Sequence, residues 1–129
     1  MSARRLDPSE SSIQRAVVRW FDLQHRELGV DDERLLHAVP NGGARSPVTA
    51  AILKAEGARA GAPDLELDVA RGGYHGLRIE LKTATGRLRP EQATMLNALT
   101  AGGYLALVCR SFDEATGVIR RYISLDVPR

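Results

Sequence analysis

Gly61-Ala62-Pro63-Asp64-Leu65-Glu66-Leu67 and, beyond a Gly72-Gly73 pair, Ile79-Glu80-Leu81-Lys82 decide how this chain is read. Asp64 to Ala70 alternates acidic with apolar residues, which is the period of a strand. Gly72-Gly73 supplies a hairpin turn, and His75 to Thr83 forms the partner strand. Residues two apart on a strand share a face, so Glu80 and Lys82 project together while Leu81 turns to the core. Asp64 begins the neighbouring strand, so its carboxylate can approach that of Glu80.

Two carboxylates brought together in this way repel unless a cation joins them. Hard oxygen ligands with open water positions suit Mg²⁺ or Mn²⁺. A metal held there can clamp a phosphate and lower the pKa of an attacking water, as phosphodiester hydrolysis needs. Lys82 would then orient or deprotonate that water, or stabilise the developing charge. The bare Glu-x-Lys tripeptide reads more simply as a half-exposed strand with a surface Glu–Lys pair, and Pro63-Asp64 at the head of the preceding strand moves the reading towards a site without deciding it. Glu66 and Asp68 share the parity of Asp64 and compete with it as ligands, although the solvated face of a strand is the simpler reading.

Outward from this pair, the chain reads as helices and strands in the order α-β-α-β-β-α-β-β, a mixed sheet flanked by helices. Residues 1–6 read as a loose tail of a single 1–129 domain. Asp7-Pro8-Ser9-Glu10 predicts a helix start with Asp7 as N-cap, Pro8 at the first helical position and Glu10 as the capping-box acid. Ile13, Val17, Phe21 and Trp20 follow at helical spacing to Gly29. Arg34 to Val39 is a short strand running into the turn Pro40-Asn41-Gly42-Gly43. Ser46-Pro47 opens a second helix with Val48, Ala51, Ile52 and Ala55 inward, closed by Gly57. Pro90 starts a third, with Met95, Leu96 and Leu99 on its core face, ending at Gly102-Gly103. Tyr104 to Arg110 is a buried strand, and Val118 to Leu125 a last strand or hairpin arm.

Polar residues on otherwise apolar helix faces extend the candidate site. Glu10 and Gln14 stand four apart in register with Ile13, Val17 and Phe21, and Gln92 lies on the face of Met95, Leu96 and Leu99. A first-turn Gln can be a cap, or it can position water or phosphate beside a carboxylate cluster. The turn from His37 to Arg45 offers a histidine, backbone amides beside glycines, and an arginine, all suited to phosphate contacts. A structural role for His37 is equally open, and neither His25 nor His75 has an evident role. Arg87, Arg89, Arg110, Arg120, Arg121 and Arg129 flank the site in sequence, or are solvated surface cations.

Composition sets the outer limits. The 129 residues are 43% hydrophobic and 26% charged, ordinary for a globular fold with a real core. One cysteine, Cys109, excludes an intrachain disulfide or Cys-based zinc site, and its apolar neighbours Leu105 to Val108 predict a buried, inert thiol. No apolar run is long enough for a membrane span and no signal-peptide core is evident, so a cytoplasmic setting is the default. The net charge of +2 is compatible with a nucleic-acid partner without being diagnostic.

The ordered set Glu10-x-x-x-Gln14, HAVPNGGAR (His37 to Arg45), GAPDLEL (Gly61 to Leu67), IELKTATGRLRPEQ (Ile79 to Gln92) and Gly102-Gly103 resembles the VRR-Nuc (virus-type replication-repair nuclease) family, a branch of the PD-(D/E)XK nucleases. The resemblance covers nearly the whole chain. It implies a restriction-endonuclease-like α/β fold and Mg²⁺- or Mn²⁺-dependent cutting of DNA. It also implies Asp64 and Glu80 as metal ligands with the Leu81 carbonyl completing the shell, Lys82 as catalytic lysine, Glu10 as the helical acid that assists the metal, and Gln92 as the glutamine after the active strand. DNA contacts are expected from Asn41, Gly42, Gly43, Arg45 and Arg87. The turn here reads Pro-Asn-Gly-Gly where many relatives carry an acid, which leaves its contacts open.

The chain is similar to stand-alone members found in phages and bacteria, which resemble Holliday-junction resolvases and are expected to act as homodimers on four-way junctions. Two sites related by a two-fold axis can cut two strands of a two-fold-symmetric junction. The apolar first helix with Trp20 and Phe21, or the last strand, are candidate pairing surfaces. The alternatives are a restriction-like or nicking nuclease on linear DNA, or a non-catalytic DNA-binding module with the same fold.

Overall fold

The computed structural model describes residues 8–40 and 46–129. Within them, α1 (Glu10–Gln24) leads through a short 3-10 turn (Glu33–Leu35) to β1 (Leu36–Ala38), then α2 (Pro47–Ala55), β2 (Leu65–Leu67) and β3 (Leu77–Leu81). The chain continues with α3 (Pro90–Ala101), β4 (Leu105–Cys109) and α4 (Phe112–Ile123). The four strands form one mixed sheet in the order β1-β2-β3-β4. β1 and β3 both run antiparallel to β2, and β4 runs parallel to β3 after the crossover through α3. This is the expected helix-flanked mixed α/β sheet.

Strand alternation gives the sheet two unlike faces. Leu65, Leu67, Leu77, Ile79, Leu81 and Cys109 point one way and join Ile13, Val17 and Phe21 of α1 with Ala115, Ile119 and Tyr122 of α4 in one core. Full burial of such a side chain contributes about 1.5–3 kcal/mol, so α1 and α4 are held mainly by this layer. The other face carries Asp64, Glu66, Arg78, Glu80 and Lys82, and α3 lies on it, since its Gln92 reaches Glu80. Cys109 is fully buried in the core, where desolvation pushes its thiol up to about 12, so it is the inert thiol expected.

Several boundaries differ from the sequence expectation. α1 is capped by Ser9, whose Oγ accepts the Ser12 amide, and begins at Glu10. Glu10 is therefore the first helical residue and not a capping-box acid; Asp7 and the 1–6 tail lie outside the described residues. α1 ends at Gln24, and Gly29, at φ 88, closes the turn that follows. Val48 and Ile52 of α2 are 70% and 54% exposed and not inward, because α2 turns Ala50, Leu53 and Lys54 towards a cleft and packs no side chain into the core.

The largest correction falls on the C-terminal segment. Val118 to Leu125 is not a strand: Val118 to Ile123 belong to α4, Ser124 ends it and Leu125 follows. Ser111 caps it by accepting the Glu114 amide at 3.0 Å, acids fill the first turn, and Arg120 and Arg121 the last. Ala115, Ile119, Tyr122 and Ile123 recur at the 3.6 period. The β-branched Val118-Ile119 pair suggests a strand only when read without that period. Of the expected pairing surfaces, the last strand is a helix, and in α1 Phe21 is wholly buried while the half-buried Trp20 lies under the Arg120 guanidinium, 5.1 Å from its ring centre.

Candidate active site

The register of the sheet builds the centre of the site. Leu65 pairs with Ile79, which puts Asp64 across from Glu80 at the next position along the antiparallel pair. Asp64 Oδ2 accepts the Leu81 amide at 2.7 Å, and its backbone carbonyl accepts the Val39 amide at 3.0 Å. The aspartate is thus fixed from both β3 and the end of β1. Glu10, free of capping duty at the start of α1, brings a third carboxylate: one oxygen from each of Glu10, Asp64 and Glu80 lies within 4.8 Å of the others.

Glu80 is the anomalous member. It is only 2% exposed, its Oε1 accepts a hydrogen bond from Gln92 Nε2 at 3.0 Å, and its buried Oε2 has no partner. Burial is the first cause that raises its pKa, to about 8, followed by the charge of Asp64, a hydrogen bond that Glu80 can give Asp64 only once protonated, and the charge of Glu10, against the opposing Lys82 ammonium. A buried carboxylate oxygen without a donor costs free energy. Three converging carboxylates and an orphaned oxygen are the donor set that a hard divalent cation would satisfy, so the residues present fit such an ion.

The Gln92 amide is locked in one orientation. Its Oε1 accepts the Arg89 amide at 2.9 Å, so its Nε2 has to face Glu80. That link depends on where α3 begins, and Gly61 sets the approach. At φ 87, a Cβ on residue 61 would overlap the Glu91 carbonyl in the first turn of α3, so only glycine lets the loop before Asp64 close against the helix. Lys82, 5% exposed, sits two residues beyond Glu80 on the same face. Below it, Arg110 Nη1 donates to the Thr83 and Gly86 carbonyls at 2.9 and 2.6 Å, pinning the turn that leaves β3.

These groups floor a cleft of about 1180 Å³ walled by α1, α2, the loop before Asp64 and the start of α3. Of the residues singled out in the sequence, Glu10, Gln14, Asp64, Glu80, Lys82, Arg89 and Gln92 all line it. Asn41, Gly42, Gly43 and Arg45 lie outside the described residues. Arg87 is exposed and does not line the cleft, Arg110 holds a turn, and Arg120 covers Trp20.

Sequence reasoning missed three lining cations, Arg15, Lys54 and Arg59. Arg15 adjoins Gln14 and could have been found by extending the helical face by one position; Lys54 and Arg59 carry no signal until α2 is placed.

Glu66 and Asp68 are not simply solvated. The buried Arg78 lies 3.5 Å from Glu66 and 3.2 Å from Asp68, stacked 4.5 Å from the centre of the Tyr104 ring, and His37 Nε2 lies 3.1 Å from Glu66. This second group, His37, Glu66 and Asp68, also has metal-ligand spacing, but the Arg78 guanidinium already pairs with both of its carboxylates. His25 is structural: its Nδ1 lies 2.7 Å from the Val30 carbonyl oxygen in the core beneath α1. His75 packs edge-on against Tyr104.

Comparison with known proteins agrees with this geometry. Residues 8–113 match the VRR-NUC domain family model. A solved structure described as a VRR_NUC domain protein superposes with a TM-score of 0.80 at 34% identity, covering 95% of each chain. No curated protein matches. The family match spans the cleft, its carboxylates and the lysine beside them, and the chain belongs to the VRR-NUC domain family, nucleases of the PD-(D/E)XK type.

Proposed function

We propose that this domain is a metal-dependent, structure-selective DNA endonuclease that hydrolyses phosphodiester bonds in branched substrates, in the manner of a Holliday-junction resolvase. The observation that carries the reading is Glu80: a carboxylate 2% exposed, with an unpartnered oxygen, beside Asp64, Glu10 and Lys82 at the floor of a cleft. A structural ion pair does not leave a buried oxygen unsatisfied, whereas a cation site that is complete only with its ion does.

Asp64, Glu80 and Glu10 would hold the ion, with the Leu81 carbonyl as a further oxygen donor. The all-oxygen set favours Mg²⁺ or Mn²⁺. When bound, such an ion supplies Lewis acidity at the scissile phosphate and promotes ionisation of water. The residues of the chain do the rest. Asp64, with one oxygen tethered by the Leu81 amide, would offer its other oxygen to such an ion. Gln92 prevents Glu80 from turning away, and such outer partners commonly matter about 10–100-fold in affinity or activity. Lys82 takes the proton of the attacking water or donates to the phosphate oxygen as charge develops there. Burial of Glu80 keeps bulk water from that carboxylate, which strengthens its charge interactions with Asp64 and Lys82.

Action as a homodimer is part of the proposal, since paired cuts across a symmetric junction need two sites related by a two-fold axis. Cleavage of a labelled four-way junction and its matched linear duplex, with Mg²⁺ or Mn²⁺, tests the reading. Paired, metal-dependent cuts in the junction and little cleavage of the duplex are expected. Equal cutting of both would favour a restriction-like or nicking nuclease, and binding without cutting would leave a DNA-binding module.

A further inference from the structure

The walls of the cleft carry cations that neither the metal site nor the fold uses. Arg15 projects from α1, Arg89 precedes α3, and Lys54 and Arg59 come from the end of α2 and the loop after it; all four line the cleft above Glu80 and Lys82. None of the four forms an ion pair with another described residue. Glu91, on the same rim, contributes one opposing charge. Cations left unpaired at the lip of a recessed site are suited to a polyanion that passes over it.

The dimensions restrict that polyanion. The groups that would act lie on the floor, where Glu80 and Lys82 are 2% and 5% exposed. Sites for single drug-sized molecules occupy about 300–1,000 Å³, so a cleft of about 1180 Å³ has room for a few nucleotides. An intact duplex, whose major and minor grooves alone are about 12 and 6 Å wide, is too bulky to sink into that volume. A phosphate reaches this floor when one strand leaves its partner and passes between the walls.

We infer that the cleft takes a single strand of DNA, unpaired or peeled from its complement, with its phosphates held by Arg15, Lys54, Arg59 and Arg89, which line the cleft. This rests on the nuclease reading above and gives its substrate class: the strand that enters is the unpaired one beside a branch or at an end. α2 then has a role that explains its lack of buried side chains. It is a wall presenting Ala50, Leu53 and Lys54 to the strand, without a packing role in the core.

The test measures binding of the whole chain to a labelled single-stranded oligonucleotide and to a blunt duplex of the same sequence. It is done in EDTA over a range of KCl concentrations, for wild type, the Lys54→Gln/Arg59→Gln double variant and an Arg26→Gln control at an exposed arginine that does not line the cleft. Each phosphate contact on a single strand contributes roughly 0.7 to the slope of log affinity against log salt. The double variant is expected to bind the single strand more weakly at every sequence and to lose roughly 1.4 from that slope, while Arg26→Gln stays at wild type. Unchanged affinity and slope in a double variant that melts like wild type would overturn the inference. So would a wild type that binds the blunt duplex as tightly as the single strand. Cleavage with Mn²⁺ is scored separately: binding that follows the expectation without any cleavage sinks the nuclease reading and leaves the strand path standing, whereas cleavage with no effect of the wall variants does the reverse.

Discussion

Replacing Glu80 by Gln in the metal-free protein isolates what it costs to keep a carboxylate on the cleft floor. In the folded chain burial, Asp64 and Glu10 together outweigh Lys82 and raise Glu80 from 4.5 to about 8. At about 1.4 kcal/mol per tenfold change in proton affinity, that difference amounts to at most about 5 kcal/mol. Because the folded pKa lies above the unfolded one, the folded state holds the extra proton. The stabilisation is complete below pH 4.5, drains away as pH rises towards 8, and is gone above it. Gln keeps the shape, still accepts from Gln92 and can donate to Asp64, and has nothing to ionise. Urea melts in EDTA should therefore show Glu80→Gln close to wild type near pH 4.5 and more stable by about 2–5 kcal/mol at pH 8.5. Mn²⁺ at a hundred times its dissociation constant adds about 2.7 kcal/mol to a protein that binds it only when folded; wild type should gain this and Glu80→Gln should not. Parallel pH profiles of the two proteins, or an equal gain from Mn²⁺, would refute the reasoning.

Three further outcomes follow from the same geometry. Gln92→Ala frees Glu80 Oε1 and the Arg89 amide together, and should weaken Mn²⁺ binding by about 10–100-fold in a calorimetric titration with little change in melting temperature; unchanged affinity would show that Glu80 needs no tether. Gly61→Ala places a Cβ at a left-handed φ against the Glu91 carbonyl, and should cost about 1–3 kcal/mol in a urea melt and lower metal affinity, since the start of α3 must move; a variant as stable as wild type would argue against the close approach. Arg78→Ala leaves Glu66 and Asp68 facing each other, and because both are partly solvated the expected loss is about 1–2 kcal/mol and smaller in high salt; a salt-independent loss would point to Tyr104 packing instead.

How much of this was legible in the sequence varies with the kind of signal. Alternation around Asp64 and Glu80 reported the hairpin directly, since a strand's two-residue period decides which side chains share a face. Ile13, Val17 and Phe21 gave the core face of α1 for the same reason at the helical period. The C-terminal helix was misread because Val118 and Ile119 favour strands locally, while the cap at Ser111 and the spacing of Ala115, Ile119 and Tyr122 required a window of twelve residues. α2 was recognised as a helix, but its orientation was not, since an apolar face does not say whether a core or a cleft lies opposite. Glu10 shows the subtlest limit. Whether it caps a helix or faces a metal site depends on a shift of the N-cap from Asp7 to Ser9, which both sequences of caps allow. The pairing of Arg78 with Glu66 and Asp68, and the wall cations Lys54 and Arg59, depend on tertiary placement that no local pattern encodes.

The central claim is that Asp64, Glu80 and Lys82 work together on a phosphodiester with a divalent ion. Cleavage of a labelled forked DNA by wild type and Lys82→Ala, each shown by thermal shift to bind Mn²⁺, tests it most directly. The account predicts that wild type cuts only with the metal and that Lys82→Ala binds the metal and the DNA but does not cut. Cutting by Lys82→Ala at the wild-type rate, or by wild type in EDTA, would contradict it.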